Sequence, residues 1–268
     1  MGRPGPVDGA GMIGLSVAPA TRQPDPGDRP WRQPTDTRPN ASSTLPPITG
    51  RFLALVAVFV ACLVVSNVIA GKIVEFGVLN LSAALIVFPV TYIVGDIMTE
   101  VYGFRRARQV IWLGFLGNLV AVGAILIAIE LPEASFFEHQ SEFEQVLGQT
   151  PRILAASLLA YLVGEFVNSY VLAKMKIWTE GRFLWMRTIG STIVGQGFDT
   201  TIFTLLAFTG VFPIEALAII IATEWTIKVV YEAAMTPVTY GVVGWLKRAE
   251  GIDVYDRDTR FNPFAVTE

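Results

Sequence analysis

Glu224, Lys228 and Glu232 stand at i, i+4 and i+8, so a helix through them carries a minus–plus–minus ladder on one face. Tyr231 lies near that face. Gln196, Asp199 and Thr200 share a second helical face, with Thr192 one turn earlier, and Glu165 joins Asn168 and Ser169 on a third. The chemistry of these groups is recognition. A carboxylate accepts two parallel N–H bonds from a planar, guanine-like edge, and an Asn or Gln amide both donates and accepts. The set suits a neutral or cationic solute rich in N–H groups, because a permanent anion needs more Arg or Lys. Trp225, Phe198, Phe203 and Tyr231 offer stacking surface, although packing is the simpler use of each. Catalysis is a poorer fit. One cysteine, Cys62, and one histidine, His139, exclude an internal disulfide and a Cys/His zinc site, and leave a nucleophile–base pair resting on His139 alone. There is no H-E-x-x-H and no G-x-x-x-x-G-K-[ST] nucleotide loop. A two-aspartate site from Asp96 and Asp199 needs a common depth, and the two are expected at different depths.

The surroundings of these residues are apolar. The 268 residues are 52% hydrophobic and 16% charged, with mean hydropathy +0.51, too few charges to cover a soluble surface. A net charge of −3 gives no basic footprint for nucleic acid. Ten of the sixteen prolines fall in residues 1–50, which lack apolar periodicity and read as a disordered Pro/Arg-rich tail. The rest falls into six apolar stretches, about 52–71, 78–101, 110–131, 153–173, 189–211 and 214–246. Each is about 20 residues or longer, enough at ~1.5 Å rise to cross the ~30 Å hydrocarbon core. They do not alternate as barrel strands do, so their backbone is satisfied as helix. The expected fold is an all-α membrane protein of six transmembrane helices, with tilt or a kink near Pro237.

Loop charges orient the bundle. Arg105, Arg106 and Arg108 follow helix 2, Lys174, Lys176, Arg182 and Arg187 follow helix 4, and Lys247 and Arg248 follow helix 6. The other face is acidic, with Glu130, Glu133, Glu138, Glu142 and Glu144 between helices 3 and 4. The positive-inside rule puts both termini in the cytoplasm, and Trp112, Trp178, Trp185 and Trp245 mark the same boundary. Asn67, Asn118, Glu165, Gln196, Asp199, Glu224 and Lys228 then lie in the middle half of the bilayer, while Asp96, Glu100, Glu232 and Thr236 lie toward the cytoplasm. Intramembrane polar groups either glue helices together or mark a solute path.

Ser66-Asn67, Phe88-Pro89, Thr91, Asp96-Ile-Met-Thr-Glu100-Val-Tyr-Gly103, Ala107-Arg108, Ser191-Thr192, Gln196-Gly-Phe-Asp199-Thr200, Lys228, Thr236-Pro237 and Tyr240 follow in an order and spacing that resemble the queuosine precursor transporter family. The resemblance covers about residues 52–248. It implies an inner-membrane protein that takes up the 7-deazaguanine bases preQ0 or preQ1, with a bundle similar to the S components of energy-coupling-factor vitamin transporters. Asn67, Glu165, Gln196, Asp199, Glu224 and Lys228 are the substrate-binding candidates. Asp96, Glu100 and Arg108 are expected as an ion-pair cluster at the inner mouth, structural or gating. The expected domains are a tail over 1–50, a transport domain over 51–248 and a short cytoplasmic tail over 249–268. No cofactor or metal is expected. The partners are the small-molecule base and the lipid bilayer, with an energising module or a second copy left open. Ala57-x-x-x-Ala61 is a small-residue surface suited to such a contact. The rival readings are an S component for another vitamin-like solute, an intramembrane enzyme, and an assembly subunit whose polar groups only hold helices.

Overall fold

The computed structural model describes residues 45–70, 72–76, 79–148 and 151–265, together with Met1, Gly2 and Gly5. Most of the expected N-terminal tail lies outside the described residues. Residues Asn40–Glu268 form one unit. Its elements are α1 (Gly50–Ile69), β1 (Ile73–Phe76), β2 (Leu79–Ser82), a 3-10 turn (Ala83–Ile86), α2 (Phe88–Tyr102), α3 (Phe104–Glu130), α4 (Gln140–Leu147), α5 (Pro151–Trp178), α6 (Leu184–Phe208) and α7 (Ile214–Glu250).

The long helices coincide with the apolar stretches, with one departure. The second stretch was expected to be helical from residue 78. Instead β2 pairs antiparallel with β1, Val74 opposite Leu81 and Glu75 opposite Asn80, and α2 begins only at Phe88. Pro89 explains the late start. It lacks an N–H, and its ring would strike the carbonyl four residues earlier, so it is tolerated only in the first turn. Ser82 breaks the path as well, its hydroxyl accepting from the Ala84 N–H at the head of the 3-10 turn. Helix α2 turns into α3 at Gly103, whose φ of +82° suits glycine and whose missing side chain admits Val254. Helix α7 runs 37 residues with Pro237 inside it.

The distribution of polarity is inverted. Leu113, Leu116, Val120 and Ile127 of α3 are exposed, whereas Asp96, Glu100, Asn118, Glu165, Asn168, Gln196 and Glu232 are buried. Water would not stabilise that arrangement and lipid does. Among the described residues four segments, Gly50–Ile69, Ala83–Tyr102, Phe104–Glu130 and Gln140–Trp178, are long and apolar enough to cross a membrane. Helices α6 and α7 match them in length but carry Asp199 and the Glu224–Lys228–Glu232 ladder. The chain is an all-α membrane protein with one small hairpin.

Thirteen of the fifteen residues of α2 are buried, which makes it the central helix. Tyr92, Met98, Val101 and Tyr102 pack there with Phe52, Phe59 and Leu63 of α1 and Phe104 of α3. Thr49 caps α1 by accepting from the Phe52 N–H, and its hydroxyl donates to Glu250 at the end of α7 at 2.9 Å. Arg51 joins them at 3.3 Å, so α1 begins and α7 ends on the same face. The described part of the expected C-terminal tail is packed against that face. The Val254 N–H donates to the Val101 carbonyl at 3.2 Å, the Trp112 indole to the Pro263 carbonyl at 2.8 Å, and Phe261 lies 4.9 Å from the Phe104 ring. Asp256 accepts from the Phe104 N–H at 2.9 Å, an otherwise unpaired donor of a helix first turn. Burial still pushes its carboxyl above the ordinary value, against that bond and one from Thr259.

Candidate functional site

Two glycines set the site by letting α5 and α6 touch. A Cβ placed on Gly164 would lie 2.6 Å from the Asp199 Cβ, and one on Gly195 would lie 2.5 Å from the Asn168 Cβ. Small residues permit such close backbone approach in membranes. The contact brings Glu165 and Asn168, which follow and flank Gly164, beside Gln196 and Asp199. Helix α2 adds Asp96, whose Oδ1 accepts from the Asn168 side-chain amide at 2.6 Å. The Glu165 carboxylate lies against Gly95, the neighbour of Asp96, at 3.1 Å from where a Cβ would stand.

Helix α7 supplies the cation. Lys228 Nζ donates to Asp199 Oδ2 at 2.8 Å and to Thr200 Oγ1 at 3.0 Å, and lies 5.2 Å from the Phe88 ring centre. It does not reach along its own helix to Glu224 or Glu232. The Tyr92 hydroxyl donates to the Lys228 carbonyl at 3.4 Å, tying α2 to α7 at this level. Glu232, one turn further on, is fully buried and acts electrostatically on both Asp96 and Tyr92. Around the Lys228–Asp199 pair, several buried acceptors have no hydrogen-bond donor: Asp96 Oδ2, Glu165 Oε2, Asn168 Oδ1, Gln196 Oε1 and both oxygens of Glu232. Buried polar atoms are normally satisfied, so a concentration of orphans between α2, α5, α6 and α7 sets this part of the bundle apart.

The structure thus brings Glu165, Gln196, Asp199 and Lys228 together, leaves Asn67 apart and puts Glu224 at the edge. Asn67 donates to Asn118 Oδ1 at 2.9 Å, between α1 and α3, with Ser157 of α5 at 3.5 Å. These asparagines line a cavity of about 30 Å³ with Val122, Ile125 and Leu154, far below the ~300 Å³ of small-molecule sites. Glu224 is exposed on α7 and forms no hydrogen bond or ion pair among the described residues, although Lys228 and Asp199 act on it electrostatically.

Among the described residues, Asp96, Glu100 and Arg108 do not join in one ion-pair cluster. Glu100 takes Arg187 at 2.8 Å and Lys247 at 2.7 Å, with Lys176 at 3.6 Å. Lys176 and Lys247 also share Asp253, at 2.5 and 2.9 Å. Burial raises the Asp253 carboxyl, but the two lysines outweigh it and hold it below the ordinary value. Arg108 instead donates to the Asn262 carbonyl at 2.7 Å, holding the C-terminal segment. Arg187, Lys176, Lys247 and Asp253 read in sequence as loop charges. Nothing in their spacing shows that they converge on Glu100. Glu232 and Asn168 were visible on helical faces, but only the packing reveals them as members of the orphan set.

An apolar exterior around buried polar groups defines an integral membrane protein. The chain belongs to the family described as "Putative vitamin uptake transporter", whose model matches residues 82–242. A "Probable queuosine precursor transporter" of Bacillus subtilis (strain 168) is 32% identical over 179 residues, 66% of this chain and 78% of that protein. A protein of the same name from Haemophilus influenzae is 27% identical over 126 residues, 45% of this chain and 49% of that protein. The "Queuosine precursor transporter" of Escherichia coli (strain K12) is 24% identical over 121 residues, 45% of this chain and 52% of that protein. The chain therefore spans about half the length of the last two. No solved structure matches it. Its role is that of a membrane uptake transporter.

Proposed function

We propose that this transporter imports queuosine precursors, the 7-deazaguanine bases preQ0 and preQ1, across the cell membrane. Six helices cross the bilayer in this reading, α1, α2, α3, α5, α6 and α7, and both termini are cytoplasmic, as the basic loops favour. The base lies between α2, α5, α6 and α7. The observation that carries the proposal is the ring of donor-less acceptors around the Lys228–Asp199 pair. A deazaguanine presents an N–H/NH2 edge to carboxylates and a carbonyl to a cation, and this ring matches both. The names of the three relatives support the same substrate. The Glu100 network, below the base, closes the cytoplasmic mouth.

Uptake of labelled preQ1 into cells that cannot make it tests the reading. The intact chain should restore uptake, and Asp199→Ala and Lys228→Ala should abolish it at equal membrane levels. Normal uptake by either variant, shown folded, would place the substrate elsewhere.

A further inference from the structure

The buried acids between α2, α5, α6 and α7 outnumber the buried cations. Lys228 is matched by Asp199. Three more buried carboxylates face the same space from three helices: Asp96 on α2, Glu165 on α5 and Glu232 on α7. Glu165 and Glu232 both act electrostatically on Asp96, and all three act on Tyr92, so they share one region. Among the described residues none of the three is in a salt bridge, Lys228 acting on Glu165 only at longer range, and no group of acids there is arranged to hold a metal ion. The three acids are not equivalent. Asp96 keeps one bond, from Asn168. One oxygen of Glu165 is orphaned. Glu232 has both oxygens buried without a donor and a side chain with no exposure.

We infer that the site takes a ligand bearing a protonated primary amine beside its N–H-rich heterocycle, and that Glu232 receives the ammonium group. The inference rests on the proposed transport of 7-deazaguanines and names which member of that class the site selects. An ammonium brings three N–H donors and one positive charge. Glu232 has two oxygens free of donors, and a cation placed beside them favours its ionised form, with two acceptors and one negative charge. Asn168 Oδ1, Gln196 Oε1 and the Thr192 hydroxyl, also buried and unpartnered, remain for the N–H groups of the ring. Ion-paired hydrogen bonds are roughly twice as strong as neutral ones, and burial strengthens them. A neutral substituent in the same place would leave Glu232 unpaired, which discriminates against it as strongly as the bond favours the cation.

Two bases that differ only at the 7-substituent provide the test: aminomethyl-deazaguanine (preQ1, a cation) and cyano-deazaguanine (preQ0, neutral). Their binding to the purified full chain in micelles is compared by calorimetry. The cationic base should bind about tenfold tighter or more. Glu232→Gln should erase that gap while keeping the affinity for the neutral base, and Glu232→Asp should keep part of the gap. Melting curves of each variant establish that it is folded. Equal affinities for the two bases in the intact chain, or a gap that survives Glu232→Gln, would overturn the inference and leave the transport reading standing. If neither base binds, the transport reading falls and the inference with it.

Discussion

Glu100→Gln is a sharp test of how the face on which α1 begins and α7 ends is held. Glu100 and Arg187 are each 1% exposed, and their contact is a fork, Nη2 to Oε1 at 2.8 Å and Nε to Oε2 at 3.2 Å. Glutamine keeps the shape and removes the charge. Lys176 and Lys247 would still have Asp253, at 2.5 and 2.9 Å, and Lys247 is 22% exposed, so neither is stranded. Arg187 would keep only neutral acceptors, the new amide oxygen, the Thr179 hydroxyl at 3.1 Å and the Arg182 carbonyl. One uncompensated buried cation remains, a loss of about 3–5 kcal/mol. The assay is unfolding of the purified full chain in mixed micelles, followed by circular dichroism. Arg187→Met in the Glu100→Gln background removes the stranded charge, so the double variant should be more stable than Glu100→Gln alone. A cost below about 1 kcal/mol for Glu100→Gln, or a double variant equal to the sum of the singles, would refute the reasoning.

Three further outcomes follow from the same geometry. Asp253 is held below its ordinary value by Lys176 and Lys247 against the opposing effect of burial, so its stabilising contribution is present above the unfolded aspartate pKa of about 3.9 and is lost as pH falls further. Asp253→Asn should flatten the acid side of a melting-temperature profile, and an unchanged profile contradicts the assignment. Gly164→Ala should cost about 1–3 kcal/mol and depress uptake, because the new methyl meets the Asp199 Cβ. Gly241→Ala, with open space around it, is the control, and equal melting temperatures for the two would dismiss the helix contact. Deleting residues 1–45 should leave insertion and uptake intact, whereas ending the chain at Glu250 should lower the melting temperature by roughly 5 °C or more, since the Trp112, Arg108, Lys176 and Phe104 bonds to the final segment go with it. Melting and uptake measured on both truncations check the pair.

The long helices were legible because lipid demands continuous apolar length, and that demand is local. Residues 214–246 read as one span and form one helix, α7. The misread start of α2 shows the limit. Val78–Leu85 is as apolar as a span, and only Pro89 in the first turn and Ser82 at the 3-10 turn mark where helix gives way to hairpin. The fate of the last segment was hidden for another reason. Asp253, Asp256 and Phe261 form no periodic pattern, and their partners, Lys176, the Phe104 N–H and the Phe104 ring, lie about 80 to 150 residues away in the chain.

The polar site divides along the same line. That Asp199, Gln196, Glu165 and Lys228 meet was foreshadowed by their depth and by the faces they share, both local properties. Which charge pairs with which was not. On α7 alone, the i, i+4 rule offers Lys228 two acids, Glu224 and Glu232, and such a pair contributes only about 0.2–0.5 kcal/mol. The Gly164–Gly195 contact fixes Asp199 and Thr200 on α6, where they give Lys228 a buried acid and a hydroxyl together at 2.8 and 3.0 Å. An acid–hydroxyl pair in low dielectric outweighs a weak helical pairing, so the lysine turns across the bundle. Its turning leaves Glu232 unpaired. The unpartnered acid on which the proposed ligand choice rests is therefore a product of two glycines 31 positions apart in the chain.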